Sequence, residues 1–80
     1  MRALIQRVKR ASVVVEGKEV ASISQGILTL LGVEAQDTPQ TCERVISKIL
    51  KLRIFEDQNK KMNLSLRDIQ GSHLIVSQFT

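Results

Sequence analysis

Between Gly26 and Val33 the chain reads Gly-Ile-Leu-Thr-Leu-Leu-Gly-Val, eight residues without a single charge. A run of that length is one β-strand, and because its apolar residues fall on both alternating faces it reads as a central strand covered from both sides. Everything else in the chain must supply that cover. With 80 residues to do it, a folded chain buries only roughly 60 to 65% of the surface its unfolded form exposes, so the core is expected to be thin.

The flanking segments carry their own periods. Arg2 to Val8 alternates as a strand with one face better buried than the other. Ser12 to Val15 continues with β-branched valines, Glu16-Gly17-Lys18 signals a turn, and Glu19 to Ser24 returns with Val20 and Ile23 as its apolar members, which predicts a hairpin. Thr38 and Pro39 open a helix: Thr38 suits the N-cap, and Pro39 sits where its missing N–H is no loss. Cys42, Val45, Ile46, Ile49 and Leu50 then recur at helical spacing, with Glu43, Arg44, Ser47, Lys48 and Lys51 on the other face. Lys48 and Lys51 also complement the helix dipole in its last turns, by roughly 0.3 to 1 kcal/mol each.

Beyond the helix, Leu52 to Phe55 is expected to be extended, Glu56 to Lys61 a polar turn, Met62 to Leu66 a half-exposed alternating strand and Asp68 to Gly71 a further turn. His73 to Thr80 is a last strand, apolar on both faces at first and polar at its end. No linker or repeat divides the chain, so residues 1–80 are read as one domain. The fold class is α/β, a layered sheet of mostly antiparallel or mixed strands packed with a helix. Five or six strands around one helix leave most of the sheet's second face bare, and a partner chain or further sequence is expected to cover it.

Composition excludes several function classes. No apolar run approaches the ~20 residues of a membrane span, and the charged start does not suit a signal peptide. Cys42 is the one cysteine, so a disulfide framework and a cysteine zinc cluster are both out, and a free thiol is expected in a reducing cytoplasm. Twelve basic against eight acidic residues give a net charge of +4, a lean toward polyanionic partners. Arg2, Arg7, Lys9 and Arg10 form one basic group; Lys48, Lys51, Arg53, Lys60, Lys61 and Arg67 form a looser second one. Solvated faces that keep a small protein soluble are the plainer reading of both. Phe55 and Phe79 are the chain's two aromatic residues, too few for a base-stacking platform.

Phosphate-loop and metal-binding motifs are missing, so neither a cofactor nor a metal is expected. His73 is the single histidine. On a strand it shares a face with Ser77 but lies about 13 Å from it, too far for a hydrogen bond, and the reading for His73 is structural. Gln78 and Thr80 share a face about 7 Å apart at the end of the last strand, where α/β sheets tend to hold ligands, with Ser77 and Phe79 facing the other way. A strand simply leaving the core would look the same, and a threonine without a nearby base is a poor nucleophile.

Five blocks spread over the whole chain carry a resemblance: Leu4-Ile5-Gln6-Arg7-Val8 with Ala11-Ser12-Val13; Leu30-Leu31-Gly32-Val33-Glu34; Leu52-Arg53-Ile54-Phe55; Lys61-Met62-Asn63-Leu64; and Val76-Ser77-Gln78-Phe79-Thr80. Together they resemble the D-aminoacyl-tRNA deacylase family, also called D-tyrosyl-tRNA deacylases. The resemblance implies an enzyme of tRNA editing, a hydrolase that cleaves the ester of D-aminoacyl-tRNA, or of mischarged glycyl-tRNA, and spares L-aminoacyl-tRNA. It implies a cytoplasmic homodimer whose partner is the aminoacylated 3′ end of tRNA, with no DNA and no membrane. It makes Ser77, Gln78 and Phe79 substrate-binding residues. Thr80 becomes the catalytic candidate, as a nucleophile or in a pocket where the tRNA's own 2′-hydroxyl assists. The bottom-up reading favours the 2′-hydroxyl, with backbone N–H groups near Phe79 and Thr80 available to an oxyanion.

In one respect the chain departs from the family. Members are longer, and a Gly-Pro segment that excludes L-amino acids from the partner subunit's site has no counterpart here. Pro39 is this chain's only proline. The chain is therefore expected to be the N-terminal part of a longer deacylase domain. The competing expectation is a small basic RNA-binding module without catalysis, in which Arg7, Lys9, Arg10 and the group from Lys48 to Lys61 contact phosphates. A blander one is a fragment that only dimerises through its exposed sheet.

Overall fold

The computed structural model describes residues 1–79, the last of them through its backbone alone. Seven strands and one helix follow in the order β1 (Arg2–Val8), β2 (Ala11–Val15), β3 (Lys18–Ile23), β4 (Gly26–Val33), α1 (Pro39–Lys51), β5 (Phe55–Glu56), β6 (Met62–Leu64) and β7 (Ser72–Phe79). They form a central sheet of order β1-β4-β7, the β2-β3 hairpin and a two-stranded β5-β6 ribbon. β1 runs antiparallel to β4 and β7 parallel to it, so the predicted mixed sheet with a helix is the observed class. The count of five or six strands is corrected to seven among the described residues, because the polar stretch after the helix folds back on itself as a separate ribbon.

Local chemistry accounts for the elements. The β2-β3 loop is Glu16-Gly17, and both residues have positive φ (50° and 78°), the mirror-image two-residue turn whose twist matches a hairpin. At the start of α1 the Thr38 hydroxyl accepts the Thr41 backbone N–H at 3.2 Å while the Thr41 hydroxyl accepts that of Thr38 at 3.4 Å, a reciprocal cap ahead of Pro39. The face of α1 carrying Val45, Ile49 and Leu50 joins Ile5, Ile27, Phe55 and Leu66 in the core. Since Ile49 near the helix end and Ile27 near the start of β4 belong to one buried cluster, α1 runs back along the sheet, as a crossover between parallel strands must.

Met62 to Leu66 is not one alternating strand. It ends at Leu64 because Ser65 caps a single helical turn instead: its hydroxyl accepts the Asp68 N–H at 3.3 Å, and the Asp68 carboxylate accepts the Ser65 N–H at 2.8 Å. That turn drops Leu66 into the core, 3% exposed, while Met62 stays outside at 60%. Gln70, with φ 53°, and the Gly71 N–H bonded to the Leu66 carbonyl close the turn in the usual left-handed way.

β4 is not covered on both faces. Ile27, Thr29 and Leu31 point toward α1 and are buried, but Leu30 on the opposite face is 43% exposed, and Leu4, its register partner on β1, is 66% exposed. The Cα atoms fill a slab only 15 Å thick, enough for a sheet and one helix and too thin for a third layer.

The β4-β7 pairing leaves no space at Gly26, where an added Cβ would overlap the backbone of its partner Ser72. At Gly32 a Cβ meets only ordinary contacts, the nearest being the Arg2 carbonyl oxygen at 3.7 Å. Urea denaturation should therefore separate the two glycines: Gly26→Ala loses about 1–3 kcal/mol or more, whereas Gly32→Ala is neutral or gains up to about 1 kcal/mol. Equal losses would show that the pairing at Gly26 is looser than described.

Candidate active site at the carboxyl edge of the sheet

β4 and β7 are parallel, so they end on one edge, and β1 begins there because it is antiparallel to β4. The register aligns Arg2, Gly32 and Gln78 in one row and Ala3, Leu31 and Ser77 in the next, so these two rows present opposite faces. Gly32 leaves a notch in its row. Arg2 and Gln78 flank it roughly 9 to 10 Å apart, two strand spacings, with a permanent cation on one side and an amide on the other. Ser77 and Gln78 are both exposed, and the Phe79 backbone pairs with Val33. Thr80, the catalytic candidate, lies outside the described residues.

His73 does not belong to this edge. It pairs with Ile27 at the opposite end of β7, and its Nε2 lies 2.8 Å from the hydroxyl of Thr29, a fully buried side chain. This bond gives Thr29 its buried partner, and burial holds the imidazole below its ordinary pKa. The structural reading of His73 stands, with a partner 44 residues away that spacing alone did not reveal.

Two features of the edge escaped the sequence reading. One is Arg2 facing Gln78 across Gly32, which needs the register of three strands. The other is a clasp on the loop from β4 to α1. The Met1 ammonium donates to Asp37 Oδ1 at 3.2 Å and lies 3.0 Å from Oδ2, which also accepts the Glu34 N–H at 2.8 Å. Chiefly that amide, and then the ammonium, hold the Asp37 carboxyl below the usual carboxylate range. An aspartate three residues after the amide it accepts, just past a strand end, is the local signal for such a turn. The ammonium as its second partner was not visible.

The clasp ties the chain start to residues 34–37. Acetylating the N-terminal amine, or making Asp37→Asn, should speed amide exchange at Glu34 and Asp37 while exchange in the middle of α1 stays as it was. Unchanged exchange in that loop would mean that the ion pair does not hold it.

Residues 4–80 match the family model described as D-Tyr-tRNA(Tyr) deacylase. A D-aminoacyl-tRNA deacylase of Thermosipho africanus (strain TCF52B) is 59% identical over 80 residues, covering 100% of this chain and 54% of the relative. One from Shewanella baltica (strain OS185) is 54% identical, covering 100% and 55%. Among solved structures, the c-Myc DNA Unwinding Element Binding Protein superposes with a TM-score of 0.90 at 47% identity, over 100% of this chain and 54% of that one. The chain thus spans about 55% of the length of the curated relatives it matches. By the family match and by identity along its whole length, the chain belongs to the D-Tyr-tRNA(Tyr) deacylase family.

Proposed function

We propose that this chain carries the substrate-facing part of a tRNA-editing hydrolase that cleaves the ester between a D-amino acid, or glycine, and the 3′-terminal adenosine. The observation that carries the proposal is the position of Ser77 and Gln78, the start of the Ser-Gln-Phe-Thr segment, exposed at the carboxyl edge of parallel strands in a chain of this family. That edge is where α/β sheets take their ligands. The relatives' name, D-aminoacyl-tRNA deacylase, supports the same substrate.

The reaction is ester hydrolysis. Water adds to the ester carbonyl, the tetrahedral oxyanion collapses, and the adenosine 3′-oxygen leaves with a proton, which frees the amino acid. His73 cannot serve as the base, because its Nε2 is engaged by Thr29 at the far end of β7. We assign the proton handling to the vicinal 2′-hydroxyl of the substrate. Ser77, Gln78 and Phe79 then position the aminoacyl-adenosine, and backbone N–H groups near Phe79 and Thr80 stabilise the oxyanion.

We propose further that the enzyme works in the cytoplasm as a homodimer. The open apolar row of Leu4 and Leu30 supports a second copy as the cover for that face. The free Cys42 is consistent with a reducing compartment.

The decisive experiment compares release of D-tyrosine and L-tyrosine from their tRNA esters by the chain, against the spontaneous rates. Release of D-tyrosine above background is expected from the chain, with L-tyrosine spared once the segment that excludes L-amino acids is joined to it; equal rates on both esters with that segment present would sink the proposal. Thr80→Ala separates the two mechanisms. It should keep the rate within about tenfold when the 2′-hydroxyl assists, and a loss of several thousandfold with substrate binding intact would instead make Thr80 the nucleophile.

A further inference from the structure

The face of α1 turned away from the core carries a cationic stripe that lies outside both the core and the site. Gln40, Arg44, Ser47, Lys48 and Lys51 share one side of the helix, with Gln40 four before Arg44, Ser47 and Lys48 three and four after it, and Lys51 four and three beyond those, over about 16 Å of its length. All of Gln40, Arg44, Ser47, Lys48 and Lys51 are exposed. Glu43, the helix's single acid, borders the stripe beside Ser47, about 100° around the axis from Arg44. Among the described residues the one ion pair within 4.0 Å joins Met1 and Asp37, so the three cations of the stripe have no carboxylate against them. Arg44, Ser47, Lys48 and Lys51 also line a groove of about 520 Å³ with Val45 at its side.

Two plainer explanations fall short. Lys48 and Lys51 lie in the last turn and complement the helix dipole, but Arg44 stands mid-helix, beyond the reach of that effect. An anionic membrane would need an apolar flank to insert beside the charges, and the apolar face of α1 is committed to the core through Val45, Ile49 and Leu50.

The stripe has a direction. α1 starts six residues after the end of β4, so Gln40 lies toward the carboxyl edge where Gln78 stands, and because Ile49 shares a buried cluster with Ile27 at the start of β4 the stripe then runs back toward the opposite edge. We propose that this face of α1 binds the RNA phosphate backbone of the tRNA acceptor arm, with Arg44, Lys48 and Lys51 each meeting a phosphate while the 3′ end reaches the carboxyl edge. The inference rests on the deacylase reading and adds to it a surface for the substrate's body. Arginine and lysine neutralise phosphates by releasing condensed counterions, which makes such contacts countable through the salt dependence of binding.

The test is filter binding of uncharged tRNA by the chain over a range of KCl concentrations, for the unaltered protein and for Arg44→Gln/Lys48→Gln/Lys51→Gln. Glutamine keeps the helix, and circular dichroism confirms it. The triple variant should bind about tenfold or more weakly, with a slope of log K against log salt shallower by about 2 to 3. Lys18→Gln/Lys60→Gln/Lys61→Gln removes the same charge elsewhere and should keep the slope. An unchanged slope in the first variant, an equal drop in both, tighter binding to a DNA duplex of equal length, or no tRNA binding by the unaltered chain would each overturn the proposal. Hydrolysis of the D-tyrosyl ester of adenosine, which lacks the acceptor arm, reads the deacylase assignment separately and should be the same in all three proteins. Salt-dependent binding through α1 without that hydrolysis would remove the enzyme reading and leave the surface standing.

Discussion

The parallel pairing of β4 with β7 is the constraint on which the rest of the structure hangs. Parallel neighbours cannot be joined by a tight turn, so the chain between them must cross over, and α1 makes that crossing with its apolar face on Ile27 and Ile5. The approach is close enough at Gly26 that no side chain fits beside Ser72, and the Thr29–His73 hydrogen bond ties the two strands across the same face. A shared strand direction also makes both strands end at one edge. That is why Gln78 stands beside Gly32, and the antiparallel β1 starts at the same edge with Arg2 beyond it.

A slab of two layers divides its surfaces by chemistry. The helix-side face of the sheet holds the core, including the buried Ile27, Ile49, Phe55 and Leu66. Its reverse is apolar but open at Leu4 and Leu30, and the outer face of α1 is cationic. The described surfaces are therefore three of distinct chemistry: an open apolar sheet face, a polar carboxyl edge and a cationic helix face.

Much of this was legible residue by residue. Thr38, Pro39 and the spacing of Val45, Ile46 and Ile49 specify a helix because caps and faces act within one or two turns, and Glu16-Gly17 specifies a hairpin because positive φ at both positions is a local demand. The reading failed where two local signals competed. Met62, Leu64 and Leu66 alternate like a strand, yet Ser65 and Asp68, three apart, form a reciprocal cap that turns the chain and buries Leu66 alone. Leu30 misled for a different reason: an uncharged strand signals that both faces are apolar, and says nothing about whether this chain supplies a layer for each.

The sequence by itself therefore determined the elements, their caps and turns, the apolar face of α1 and, through five blocks ending in Ser77-Gln78-Phe79-Thr80, the family. Those features are local, set by interactions between residues a few positions apart or carried by short motifs. Only the tertiary structure decided that Thr29 answers His73, that Asp37 receives the chain's own ammonium and that Arg2 shares a row with Gln78. Each joins residues 36 to 76 positions apart, and such partners are selected by strand register and by the closure of long loops, whose free energy belongs to the fold as a whole and to no single segment of it.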